Sequence, residues 1–188
     1  MSRRDEILGL TNDLIQDRGY KGFSYADLSK ALGITKASIH HHFASKEDLG
    51  VAYCETKIAA LTGFRAEITK LKTGAEKFQA YLNVFKGCAN GKMCGINAMQ
   101  SDIGDMSDTL IAKVRQVSEL ELEILTEILT TGRANKEFAF NIPPYEQAIM
   151  ISAALKGALL LDRIKKDNSF DRICNSIRTS IEPNNNRD

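Results

Sequence analysis

Residues 24–49, SYADLSKALGITKASIHHHFASKEDL, constrain this chain more than any other stretch. They read as two short helices joined by a turn, then the opening of a third. Ser24 precedes a helical run, where its hydroxyl can accept from a free backbone N–H of the first turn. Leu28, Ala31 and Leu32 then share one face at helical spacing. Gly33 ends that helix, because a residue without Cβ enters the left-handed region at little cost. Thr35 is set to cap a second helix over 36–42. Ser45 is set to cap a third, with Asp48 in the capping-box position. Two short helices around a glycine turn are the sequence form of a helix-turn-helix.

The side chains left over decide what such a unit can do. Ile39 and Phe43, four residues apart, point inward. Lys36, Ala37, Ser38, His40, His41 and His42 remain. Small residues at the leading end of a helix let its backbone approach a major groove. Hydroxyl, ammonium and imidazole groups supply donors for base edges and phosphates. The competing reading is the solvated polar face of an ordinary three-helix domain.

Charge limits how such a unit could hold DNA. The chain carries 25 Lys and Arg against 24 Asp and Glu, a net charge of +1. Bulk attraction to nucleic acid is therefore modest, and strength must come from local placement and from pairing of two copies. No apolar run approaches the ~20 residues of a membrane span. Met1-Ser2-Arg3-Arg4 leads into Asp5 and Glu6 rather than an apolar stretch, so a cytoplasmic location is expected.

Around the motif the chain reads as all-α, with about nine helices and no strand-like alternation. A first helix over 3–18 carries Ile7, Leu8, Leu14 and Ile15. Ile7, Leu14 and Ile15 form the expected N-terminal core with Phe23, Leu28, Leu32, Ile34, Ile39, Phe43 and Leu49. The division expected is a DNA-binding domain over 1–49 and a helical ligand-binding and dimerisation domain over 50–188. The third helix of the motif is expected to continue to about residue 72 as a connecting lever. Further helices are expected over 75–86, 96–102, 109–131, 145–166 and 170–181. The 109–131 helix is expected to bury Leu110, Val114, Val117, Leu120, Ile124, Leu125 and Ile128 and to end at Gly132. The helices near 145–166 and 170–181 carry enough apolar and small residues to pair with a second copy as a four-helix interface.

These residues carry a family resemblance. Gly22-Phe23-Ser24, Leu28, Ala31 through Ile39, and Phe43 through Leu49 resemble the TetR family of transcriptional regulators, as does, more loosely, the stretch from Lys156 to Leu161. The resemblance implies a homodimer that binds double-stranded operator DNA, most often as a repressor released by a small-molecule effector. It implies phosphate contacts from Ser24 and Tyr25, groove entry by Thr35, Lys36, Ala37 and Ser38, further contacts from His40 and His41, and a phosphate contact from Lys46. The family most often has tyrosine where this chain has His40. Histidine can still donate to a phosphate, and it changes charge near neutral pH. Tyr81, Phe85, Met93, Met99, Gln100 and Ile128 are the candidate lining of a pocket for a hydrophobic effector.

Other chemistries fare worse. Successive helical side chains diverge by about 100°, so His40, His41 and His42 cannot converge on one metal ion. No histidine lies outside that run, so no Ser-His or Cys-His pair can form in the C-terminal part. No enzyme, cofactor or metal is therefore expected. Cys88 and Cys94 flank a glycine-containing loop near Lys86 and Lys92, which leaves a thiol-based redox or electrophile sensor as the alternative.

Overall fold

The chain was analysed as a computed structural model, which describes residues 2–87 and 91–183. Among the described residues nine α-helices and one 3-10 turn run in order: α1 (Arg3–Arg18), α2 (Tyr25–Leu32), α3 (Lys36–His42), α4 (Lys46–Ile68), α5 (Gly74–Lys86), α6 (Gly95–Ser101), the turn Ile103–Asp105, α7 (Asp108–Ala134), α8 (Pro144–Lys165) and α9 (Ser169–Ile181). No strand occurs among the described residues. The class is all-α, as the periodicity requires.

Two compact units emerge. The first joins Met1–Ala60 to Cys94–Ser118, and the second joins Leu61–Met93 to Glu119–Asp188. The residue 49–50 division lies inside α4, which is one uninterrupted helix there.

In the first unit α1 packs on α2 and α6, and α2 on α3. Ile7, Ile15, Leu28, Ile39 and Leu49 are fully buried, with Phe23 and Phe43 beside them. Leu32 and Ile34 were expected in this core but are only half-buried. They flank the exposed turn at Gly33, where a Cβ would meet nothing within 4 Å. Ala31, placed by spacing on the inner face, is exposed. Capping boxes start α1 at Ser2 and Asp5 and α2 at Ser24 and Asp27. Gly33 closes α2 in the left-handed region, at φ 64°. From the α6–α7 segment, the Asp102 carboxylate accepts from the Lys21 backbone N–H at 3.0 Å, and Asp105 pairs with the Lys21 ammonium.

The second unit takes the ends of α4 and α7 with α5, α8 and α9, and α8 and α9 pack closely on each other. Its core includes Phe78, Tyr81, Leu82, Ile124, Leu125, Ile128, Leu129, Leu155 and Leu159. Several boundaries differ from expectation. α4 ends at Ile68 rather than near 72, because its last carbonyls turn to tighter bonds, Glu67 O with Lys70 N–H at 3.1 Å and Ile68 O with Leu71 N–H at 3.2 Å. Gly132 does not end α7, which runs on to Ala134. Glycine is needed there for proximity: a Cβ on Gly132 would lie 2.1 Å from the Phe138 ring, and one on Gly74 would lie 2.3 Å from Gly132 Cα. α8 begins at Pro144, whose missing N–H is harmless in a first turn. No helix among the described residues is long and apolar enough to cross a membrane.

Candidate functional site

The helix-turn-helix presents a cleft of about 420 Å³ lined by Phe23, Ser24, Tyr25, Ala26, Lys36, His40 and Lys46. Four local choices build it. Ser24 closes the first turn of α2, accepting from Ala26 N–H at 3.2 Å and donating to Asp27 Oδ2 at 2.7 Å. These bonds hold the Asp27 carboxyl below the usual carboxylate range, the Ser24 hydroxyl contributing most. Thr35 caps α3 by accepting from Ser38 N–H at 3.1 Å. Ser45 and Asp48 form the reciprocal pair at the start of α4, at 2.9 and 3.0 Å. Ile39 anchors α3 from beneath with no exposed surface. That leaves Lys36, Ala37, His40 and His41 on its exposed side and Ser38 half-buried.

Aromatic residues and backbone carbonyls orient the cleft. The Tyr25 hydroxyl donates toward the carbonyls of Phe43 at 2.9 Å and Ser45 at 2.5 Å. Burial raises its pKa to about 12, so the hydroxyl remains a donor to carbonyls and ties α2 to the α3–α4 connection. Its ring lies 4.7 Å from that of His40, and His40 Nδ1 lies 3.0 Å from the Ala44 carbonyl oxygen. Lys46 donates to the Phe23 carbonyl and sits 4.4 Å above the Phe23 ring and 4.9 Å above that of Tyr20. Burial holds its pKa below that of an ordinary lysine, against the raising effects of Asp102 and Asp27. The sequence did not single out Arg4, which stands 5.1 Å over the Phe43 ring. It has no helical register with α3, so no local pattern could have found it.

The effector candidates divide between the units. Tyr81, Phe85 and Ile128 are buried in the second, and Met93 is a half-buried residue of it. Met99 and Gln100 belong to the first. There Met99 lies 3.9 Å, sulfur to sulfur, from Cys54, and Gln100 donates to Ser118 at 2.8 Å. In the second unit the structure reveals a cluster that sequence reading passed over. Glu121 accepts from Tyr81, from Ser152 at 3.1 Å and from Lys156 at 2.7 Å. Its side chain is 10% exposed and that of Lys156 13%. A charge so buried requires such partners.

Burial raises the Cys54 thiol to about 11 and pushes Cys174 up as well, which keeps both protonated. Cys94 is half-buried at the start of α6, and Cys88 lies outside the described residues. Among the described residues no three His, Cys, Asp or Glu side chains are placed to hold a metal ion.

A capped helix-turn-helix with a cationic cleft on an all-helical chain defines a DNA-binding transcriptional regulator. Residues 7–53 match the bacterial regulatory proteins of the tetR family. The crystal structure of a TetR-family transcriptional regulator from Agrobacterium tumefaciens superposes with a TM-score of 0.89 at 30% identity, covering 96% of this chain and 97% of that one. A TetR transcriptional regulator from Legionella pneumophila gives 0.86 at 29% identity, over 97% and 98%. The HTH-type transcriptional repressor NemR of Escherichia coli K12 is 27% identical over 185 residues, 93% of this chain and 89% of that protein. The chain belongs to the TetR family of transcriptional regulators.

Proposed function

We propose that the chain works as a homodimeric repressor in the cytoplasm, released from operator DNA by a small apolar effector, and that it catalyses no reaction. The observation that carries this reading is the cleft of Ser24, Lys36, His40 and Lys46. It sets two lysines and a histidine beside the start of α2, where the helix dipole also favours an anion. In this reading the cleft seats a backbone phosphate, and Thr35, Lys36, Ala37, Ser38 and His41 enter the groove. Ser24 and His40 contact the phosphate. Tyr25 acts chiefly by holding the cleft's shape, since its hydroxyl is already bonded to carbonyls, and Lys46, with one N–H on the Phe23 carbonyl, keeps its charge and further donors for the phosphate.

α8 supports the dimer. Ile151, Ser152, Leu155, Ala158 and Leu159 are used inside the chain, yet Tyr145, Ile149, Met150, Leu160, Leu161 and Ile164 remain exposed. A row of this size at helical spacing is what a second copy covers. α9 buries Phe170, Cys174, Ile177 and Ile181 within its own chain and exposes Asn175, Ser176, Thr179 and Ser180. It therefore offers the partner a small polar face rather than the apolar stripe. Two α3 helices could then enter major grooves roughly 34–36 Å apart.

The effector reading rests on the second unit, whose interior holds the apolar Tyr81, Phe85 and Ile128 and the polar Glu121–Lys156 pair. An effector preferring the non-binding state by a few kcal/mol suffices for release. The test is selection of bound duplexes from a random pool by the purified chain. A shared palindromic element bound by a dimer supports the reading. Recovery of no enriched sequence, or a monomer at micromolar concentration, sinks it.

A further inference from the structure

His40 sits at the mouth of the cleft, and its ring nitrogens are unequal. Nδ1 lies 3.0 Å from the Ala44 carbonyl oxygen, and a carbonyl can only accept. Nδ1 must therefore carry a proton. A neutral imidazole has one N–H, so its Nε2 is then a bare acceptor. A phosphodiester oxygen is also an acceptor, and the two repel. Only the imidazolium offers Nε2–H as well as charge, and that combination gives a charge-assisted bond to phosphate.

The surroundings suit this role. From α2, Tyr25 sets its ring 4.7 Å from the imidazole, tilted by 60°, and its hydroxyl is turned to Phe43 and Ser45. From α3 itself, Lys36 lines the same cleft one turn earlier. From α4, the Lys46 ammonium is held on the Phe23 carbonyl. The nearby carboxylates, Asp27 of α2 and Asp48 of α4, are bound to the Ser24 and Ser45 caps. His41 and His42, 5.4 Å apart ring to ring, do not line the cleft.

We propose that His40 binds the DNA backbone only as an imidazolium, locked into that requirement by the Ala44 carbonyl, so that proton concentration tunes operator affinity. The inference rests on the DNA-binding reading above. Its sign is fixed: the bond exists when the ring is charged, so affinity is highest in mild acid and is lost as pH rises. DNA in turn favours proton uptake by His40.

The test uses a duplex recovered by the selection experiment and the full chain, with His40→Tyr as control. Tyrosine keeps a neutral donor at that position. Between about pH 5.5 and about pH 8 the wild type should lose roughly ten-fold in affinity, and His40→Tyr, with His41 and His42 intact, much less. Two half-sites losing one phosphate contact each should also flatten the dependence of log affinity on log salt by about 2. An equal pH dependence in both proteins, or none in the wild type, overturns the proposal while leaving DNA binding standing. Absence of any bound duplex defeats the DNA-binding reading itself. A second measurement needs no DNA: nitrogen NMR of the neutral chain should find the His40 proton on Nδ1, and a proton on Nε2 overturns the proposal.

Discussion

Two opposite charges lie inside the second unit, and neither is tolerable there without the other. Glu121 holds Lys156, Ser152 and Tyr81 at once. Removing one member of a buried ion pair commonly costs about 3–5 kcal/mol, whereas removing both can cost far less. Lys156→Met should therefore lower unfolding free energy by about 3 kcal/mol in denaturant titration. Adding Glu121→Leu should recover part of that loss, and a fully additive double mutant would contradict the coupling. The sequence held a signal for this cluster that was misread. Val114, Val117, Glu121, Ile124 and Ile128 follow the spacing of one buried helical face. Leucine was preferred at the neighbouring position by hydrophobicity alone, yet Leu120 is half-buried and Glu121 is buried. Partners from α5 and α8 make the difference, and no local pattern encodes them.

Helices in this chain are bounded by side-chain chemistry that the sequence displays well. Ser24, Gly33, Thr35 and Ser45 each act where the residue types suggest. Thr35→Ala should destabilise the chain by about 1 kcal/mol, read by thermal melting, through the loss of one cap. The caps also set a pH limit. Asp5, Asp27, Glu76 and Asp167 all have pKa values held below the ordinary range by hydrogen bonds from cap hydroxyls and backbone N–H groups. A carboxyl with a lowered folded value contributes stability above its unfolded pKa of about 4, and that stability is lost as pH falls through the folded value. The melting temperature should thus be flat above about pH 5 and fall below about pH 4, less steeply in Asp27→Asn. What the pattern could not show is why Gly132 is glycine. It lies within α7, against Gly74, which is distant in sequence, and against the Phe138 ring of the loop that follows the helix. Gly132→Ala should cost about 1–3 kcal/mol through overpacking, although alanine is the better helix former.

At the scale of the molecule, the all-α class and the sequence of helices were legible because amphipathic spacing and caps are local. Assignment of the α6 segment to the first compact unit was not, since it depends on contacts such as Asp102 with Lys21. Nor was the inward turn of the α9 stripe, because an apolar face looks the same whether its own chain or a second copy covers it. The exposed residues of α8 separate the two. Ile164 is 80% exposed and Met150 60% exposed, with no cover among the described residues. Ile164→Glu should leave the helical content intact and shift light-scattering mass toward the monomer, as burying a carboxylate in an apolar contact is unfavourable.

If the proposed dimer forms on that exposed face, the stability of the protein depends on its abundance. When association covers it, only the folded form is drawn off, and mass action raises the melting point with concentration. A cell keeping few copies would hold them closer to unfolding, and hence to proteolysis, than a cell keeping many. The amount of this regulator would then bear on its own lifetime.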